Sequence, residues 1–128
     1  MQMPAPHPLS PAQAEALAER LRLLSEPTRL RLLDLLEPGE ASVGDLTERL
    51  GCTQANVSKH LALLADAGVL HRRRDGLHCY YALADSSALQ IRDAGWEWVC
   101  RHRRAQADEL AAPSSAYIRR RSASTSAT

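Results

Sequence analysis

The chain has 128 residues, 45% of them hydrophobic and 24% charged, which fits one globular domain with short tails. Sixteen Lys+Arg against fifteen Asp+Glu leave a net +1, so any case for nucleic acid rests on local clustering rather than on global charge. No apolar run reaches the roughly 18 residues of a membrane span. The opening MQMPAPHPLS lacks the charged and apolar regions of a secretion signal, and Cys52, Cys79 and Cys100 form no disulfide framework; a cytoplasmic protein with reduced thiols and no membrane association is expected.

Residues 1–9 hold three prolines without periodicity and read as a loose tail. Ser10-Pro11 opens a helix, with Ser10 as N-cap, Pro11 at N1 and Gln13 at N3. Leu17, Leu21 and Leu24 recur along it at helical spacing. A second helix starts at Pro27 after a Ser25-Glu26 turn. Its Leu30, Leu33 and Leu36 face one way, Leu32 and Leu35 widen the stripe, and Pro38-Gly39 stops it. Phe is absent, so the core must come mainly from Leu, Val, Ile and Ala.

Ser42 with Asp45 three residues on opens a short helix to Leu50, with Leu46 and Leu50 inward and Gly51 as its C-terminal stop. Thr53 then caps the next helix, with Asn56 at N3. That helix carries Val57, Leu61 and Leu64 inward and ends at Gly68. Two helices joined by about three residues around a glycine form a helix-turn-helix, although any bundle can contain such a hairpin. Val69–Arg74 and Leu77–Leu83 follow as two short strands flanking Asp75-Gly76, a type I′ turn pair. A hairpin in that position, with Arg72, Arg73 and Arg74 before its tip, is a wing; an ordinary edge hairpin blunted by charge has the same sequence. Ser86 or Ser87 caps a last helix running to about Ala111. Leu89, Trp96 and Cys100 lie on one of its stripes, and Ile91, Trp98, His102 and Ala105 on another. Two apolar faces exceed what one small domain covers, so a dimer is expected. Pro113 ends the helix, and residues 113–128 are small, polar and basic, hence expected to be disordered. The expected organisation is a tail over 1–9, one domain over 10–112 and a basic tail over 113–128.

Charge follows these elements. Residues 53–74 carry Lys59, Arg72, Arg73 and Arg74 against Asp66, a local +3 over the second helix of the motif and the wing. In a helix-turn-helix the N-terminal residues of that second helix meet base edges in the major groove. Here these are Thr53, Gln54, Asn56, Ser58, Lys59 and His60. Gln and Asn pair with adenine, Lys donates to guanine or phosphate, and hydroxyls suit phosphates. His60 reads equally as a DNA contact or as a core-edge histidine bonded to backbone. Arg72, Arg73 and Arg74 of the wing are matched to phosphates or a minor groove. An enzyme is excluded on geometry. His78 and Cys79 are strand neighbours on opposite faces, Cys100 and His102 lie about 200° apart on a helix, and no phosphate loop or carboxylate pair occurs. A winged helix that binds only protein would keep the apolar anchors without the basic cluster.

The stretches LSEPTRLRLLDLL, TQANVSKHLALLADAGVL and RRRDGLHCYYAL resemble the ArsR/SmtB family of bacterial winged-helix repressors over roughly residues 15–100. The resemblance implies a mainly α fold with a β-hairpin wing. It also implies a homodimer through the first and last helices (Leu17, Leu21, Leu89, Trp96 and Val99 are the candidate contacts) and a repressor that leaves a pseudo-palindromic double-stranded operator when an inducer binds. The family's best-known metal sites are missing. Ser42 and Gly44 replace an arsenic-type Cys-x-Cys, Ser86 and Ser87 follow Asp85 where the zinc-type site needs ligands, and Leu63 and Ala67 replace the cadmium/lead-type pair. Three thiols remain. Cys79 alternates with Tyr81 and Leu83 and should face inward, Cys52 lies beside the DNA surface, and Cys100 lies on the last helix. Each reads as a small buried hydrophobe or, joined across a dimer, as a ligand for Hg(II), Cd(II) or Cu(I), with His71, His78 or His102 as nitrogen donors. A redox or non-metal signal is the alternative.

Overall fold

The computed structural model describes residues 8–103. The N-terminal seven residues, the helix end expected near Ala111 and the basic tail at 113–128 lie outside them. Helix α1 spans Pro11–Leu24, α2 Pro27–Leu36, β1 Ala41–Ser42, α3 Val43–Leu50, α4 Gln54–Asp66, β2 Leu70–Asp75, β3 His78–Leu83 and α5 Ser87–His102. The strands form an antiparallel sheet in the order β1-β3-β2. This is a winged helix-turn-helix. The chain divides into two compact units, Met1–Leu89 and Gln90–Thr128, with the boundary inside α5. Among the described residues no helix is long and apolar enough to cross a membrane.

Local chemistry sets the helix starts. Ser10 and Gln13 exchange side-chain-to-backbone hydrogen bonds at 2.9 and 3.1 Å, the capping box expected for α1. Ser42 Oγ accepts from the Asp45 amide and Thr53 Oγ1 from the Asn56 amide, capping α3 and α4. At α2 the cap is Glu26, whose carboxylate accepts from the Arg29 amide at 2.9 Å. At α5 the carboxylate of Asp85 accepts from the Ser87 amide at 2.8 Å. That bond holds Asp85 below its ordinary pKa, because the anion is the form that accepts it. Gly51 closes α3 at φ +69°, a left-handed value that a β-carbon would strain.

The core of the first unit is aliphatic. Leu32, Leu33, Leu36, Leu46, Val57, Leu61 and Leu64 are fully buried, with Leu70, Tyr81 and Ala88 closing it from the wing and the start of α5. Helix α4 is therefore anchored by Val57, Leu61 and Leu64, the stripe its sequence announces.

One strand was not foreseen and one expectation shifts. β1 is a strand of only two residues, with no periodicity to reveal it. The hairpin tip is Gly76-Leu77 rather than Asp75-Gly76, because Asp75 still pairs with His78. Gly76 has φ +62° and Leu77 is not in the positive-φ region. A type I′ turn needs positive φ at both central residues, so it is excluded, and glycine in the first central position matches type II′. Leu77 at the tip is fully exposed.

Candidate nucleic-acid interface

The first turns of α4 present Thr53, Gln54, Asn56 and Lys59 to solvent, with Ser58 half-buried. The cap explains why this end is open. Thr53 spends its oxygen lone pair on the Asn56 amide, which leaves its O–H and the unpaired amides of the first turn able to meet a phosphate. Gln54 and Ser58, four residues apart, share one helix face.

That face meets the wing. Gln54 and Ser58 line a groove of about 370 Å³ together with Arg72, Arg74, His78 and the Ser42–Gly44 start of α3. Strand alternation decides which arginines enter it. In the register Leu70↔Leu83, Arg72↔Tyr81 and Arg74↔Cys79, these residues share the face of buried Leu70 and Tyr81. Arg72 lies directly opposite Tyr81 across the β2–β3 pair. Burial pushes the Tyr81 pKa up, and the neighbouring Arg72 guanidinium opposes that rise in part.

Two of the expected DNA contacts sit elsewhere. Arg73 projects from the opposite face, where Glu40 takes its guanidinium through two hydrogen bonds at 2.9 and 2.8 Å, so it is not a member of the groove. His60 is 9% exposed and points into the protein. Its Nδ1 accepts a hydrogen bond from Arg29 Nε at 3.1 Å, and its Nε2 lies 3.8 Å from the Glu26 carboxylate. His60 thus ties α4 to the start of α2 through side chains, rather than reading a base or bonding backbone. Arg29 also donates to the Leu23 carbonyl, and Arg20 of α1 donates to the Ala67 carbonyl just past α4. The recognition helix is therefore held at its middle and at its C-terminus. Sequence reading missed Glu26, Arg29 and Glu40. The usable signal for Glu26 and Arg29 was their i, i+3 placement at the Pro27 helix start.

The thiols are dispersed by role. Cys52 is half-buried against the core, with its Sγ donating weakly to the Leu50 carbonyl at 3.8 Å. Cys79 also packs on the core and borders the groove, and Cys100 is half-buried on α5. Among the described residues no three His, Cys, Asp or Glu side chains come together to hold a metal ion.

Of the five candidate dimer contacts, Leu17 and Leu21 stand 46% and 42% exposed on α1, while Leu89 packs partly against the core. Trp96 and Val99, on the part of α5 in the second unit, are half-buried. Nearby Ile91 and Trp98 are 42% and 65% exposed.

Residues 24–73 match a helix-turn-helix domain family, a span from the end of α1 into β2. The chain is 34% identical over 88 residues to the biofilm growth-associated repressor of Xylella fastidiosa, covering 69% of this chain and 77% of that protein. It is 36% identical over 90 residues to a probable mercury resistance operon repressor of Streptomyces lividans, covering 70% and 67%. Among solved structures it resembles the homodimeric winged helix-turn-helix DNA-binding domain of a possible ArsR-family regulator from Mycobacterium bovis. There the identity is 25% and the TM-score 0.62, with 78% of this chain and 93% of that one covered. The order of elements, the capped recognition helix beside a basic wing and a one-third identity to a repressor across most of its length agree: the chain belongs to the ArsR/SmtB family of winged-helix transcriptional repressors.

Proposed function

We propose that the protein is a homodimeric repressor that binds a pseudo-palindromic operator, with the start of α4 in the major groove and the wing on the adjoining backbone. The observation that carries this reading is the groove in which Gln54 and Ser58 of α4 face Arg72 and Arg74 of β2. Amide and hydroxyl groups suited to base edges stand beside guanidinium groups suited to phosphates. The homodimer rests on the apolar side chains left at the surface of α1 and α5, and the homodimeric relative supports it. A dimer of this kind places its two recognition helices about 34–36 Å apart, one turn of DNA.

The test separates base reading from phosphate contact. Gln54→Ala weakens the specific site over random DNA by about 1–3 kcal/mol, measured by competition gel shift. Arg72→Ala weakens both about equally and flattens the salt dependence by about one unit per protomer. Equal loss on both DNAs for Gln54→Ala would remove α4 from base recognition.

A thiol signal is the reading for induction, favoured by one observation: Cys79 borders the same groove as Arg72, Arg74 and Gln54. A soft ion or oxidant reaching that sulfur acts next to the DNA contacts, and the relation to a probable mercury operon repressor supports it. Hg(II) or Cd(II) releases the wild type from DNA, whereas a variant with Cys52, Cys79 and Cys100 all changed to Ser stays bound. Release of that variant by the same ions would sink the thiol reading.

A further inference from the structure

Arg73 is the central arginine of three, yet it is the one turned away from the groove. Its side chain is half exposed, yet three neighbours hold the guanidinium. Nε and one terminal nitrogen donate to the two Glu40 oxygens at 2.9 and 2.8 Å, Asp75 Oδ2 lies 3.8 Å from the other, and the Tyr80 ring centroid is 4.6 Å away. Two parallel bonds to one carboxylate, closed over an aromatic face, fix the planar group more firmly than a single surface ion pair. Arg73 holds the Glu40 carboxyl below the ordinary range, so the pair stays charged across neutral pH.

The placement gives this contact a purpose. Glu40 immediately precedes β1, Tyr80 lies on the middle strand and Arg73 on the far strand of the order β1-β3-β2. The contact therefore spans the whole sheet. β1 alone is paired through only Ala41↔Tyr81 and Ser42↔Tyr80, and Ser42 is also the N-cap of α3. The clasp thus ties the free arm of the wing to the start of the helix-turn-helix. The neighbouring Arg72 and Arg74 project from the other face toward Gln54 and Ser58.

We propose that Glu40 and Arg73 are positioning residues for DNA binding: their ion pair across Tyr80 sets the wing so that Arg72 and Arg74 meet the backbone in step with the recognition helix. This rests on the DNA-binding reading above. The competing assignment makes Arg73 a phosphate contact that Glu40 merely occupies until DNA arrives. The two differ in sign at Glu40. Removing a carboxylate near a polyanion site by itself strengthens binding and frees Arg73, whereas removing half of a positioning pair weakens binding.

The experiment titrates the full-length protein against a promoter fragment that the wild type retards, at four salt concentrations. Glu40→Gln and Arg73→Gln are each expected to weaken binding by about three- to tenfold with the salt slope unchanged. The double variant should be no weaker than either single one, and the charge-exchanged pair Glu40→Arg with Arg73→Glu should recover most of the affinity. Thermal melts check that each variant is folded; where a single variant melts early, the exchanged pair decides between the two assignments. Tighter binding by Glu40→Gln, or an Arg73→Gln slope flattened by about one unit per protomer, would overturn the proposal while leaving DNA binding intact. A wild type that shifts no promoter fragment would instead remove the DNA-binding reading itself.

Discussion

Leu61→Ala is expected to lower the free energy of unfolding by about 2–5 kcal/mol, the range for emptying a fully enclosed leucine site. Leu61 is completely buried, in the middle of the stripe that anchors the recognition helix. The core it belongs to is built from α1, α2, α3, the wing and the start of α5, so the gap is walled by several elements that cannot all collapse into it at once. Unfolding free energies of domains this size are about 5–15 kcal/mol, so the loss is a large part of the total. Each kcal/mol moves the melting temperature by about 4–8 °C for a domain of 60–100 residues, and a drop of roughly 10 °C or more follows. Leu63, two residues on, is the internal control. It is 38% exposed on the outer face, and its change to Ala should cost much less. Urea unfolding with an unchanged m-value is the measurement. Equal losses at Leu61 and Leu63 would show that α4 is not seated by the stripe described here.

Operator affinity is expected to fall about a thousandfold between 50 and 200 mM salt. Among the described residues, Lys59, Arg72 and Arg74 are the cations on the α4 and wing surface that no carboxylate is seen to neutralise, and the proposed dimer would bring six of them to DNA. Each phosphate neutralised releases condensed counterions with a slope near −0.9, so six give a slope of about −5 on a log-log plot. Fluorescence anisotropy with a labelled operator across that range reads the slope directly. A slope shallower than about −2 would mean that the groove is not the phosphate site. Arg73, counted with its neighbours by sequence, does not enter this number, because Glu40 already neutralises it.

The helix-turn-helix was legible because its determinants are local. Ser10, Ser42 and Thr53 cap within three residues of themselves, Gly51 supplies a backbone angle that few other residues tolerate, and the leucine stripes repeat every three or four positions. What escaped depends on partners distant in the chain. Three consecutive arginines do not say which of them faces inward; that follows only from the pairing of Leu70 with Leu83 and Arg72 with Tyr81. The tip moved by one residue for the same reason, since Asp75-Gly76 and Gly76-Leu77 are both turn sequences until the register is fixed. By sequence His60 read equally as a DNA contact or as a core-edge histidine. It is turned inward by Arg29, 31 residues earlier, and no local pattern encodes that contact.

The two residues of β1 also bear on how the molecule assembles. Ala41 pairs with Tyr81 across 40 residues of chain, while the capped helices between them close over a few residues each. The entropy of closing a loop grows with its length, and contacts distant in sequence form late when little is gained from each. Two backbone pairs return little for so long a loop unless α3 and α4 have already shortened it by folding. β1 is therefore expected to join the sheet only after α3 and α4 have folded, and to leave it before they unfold. Amide hydrogens of β1 and its β3 partners should exchange through that partial opening, while those of α4 around Leu61 wait for the whole unit to unfold.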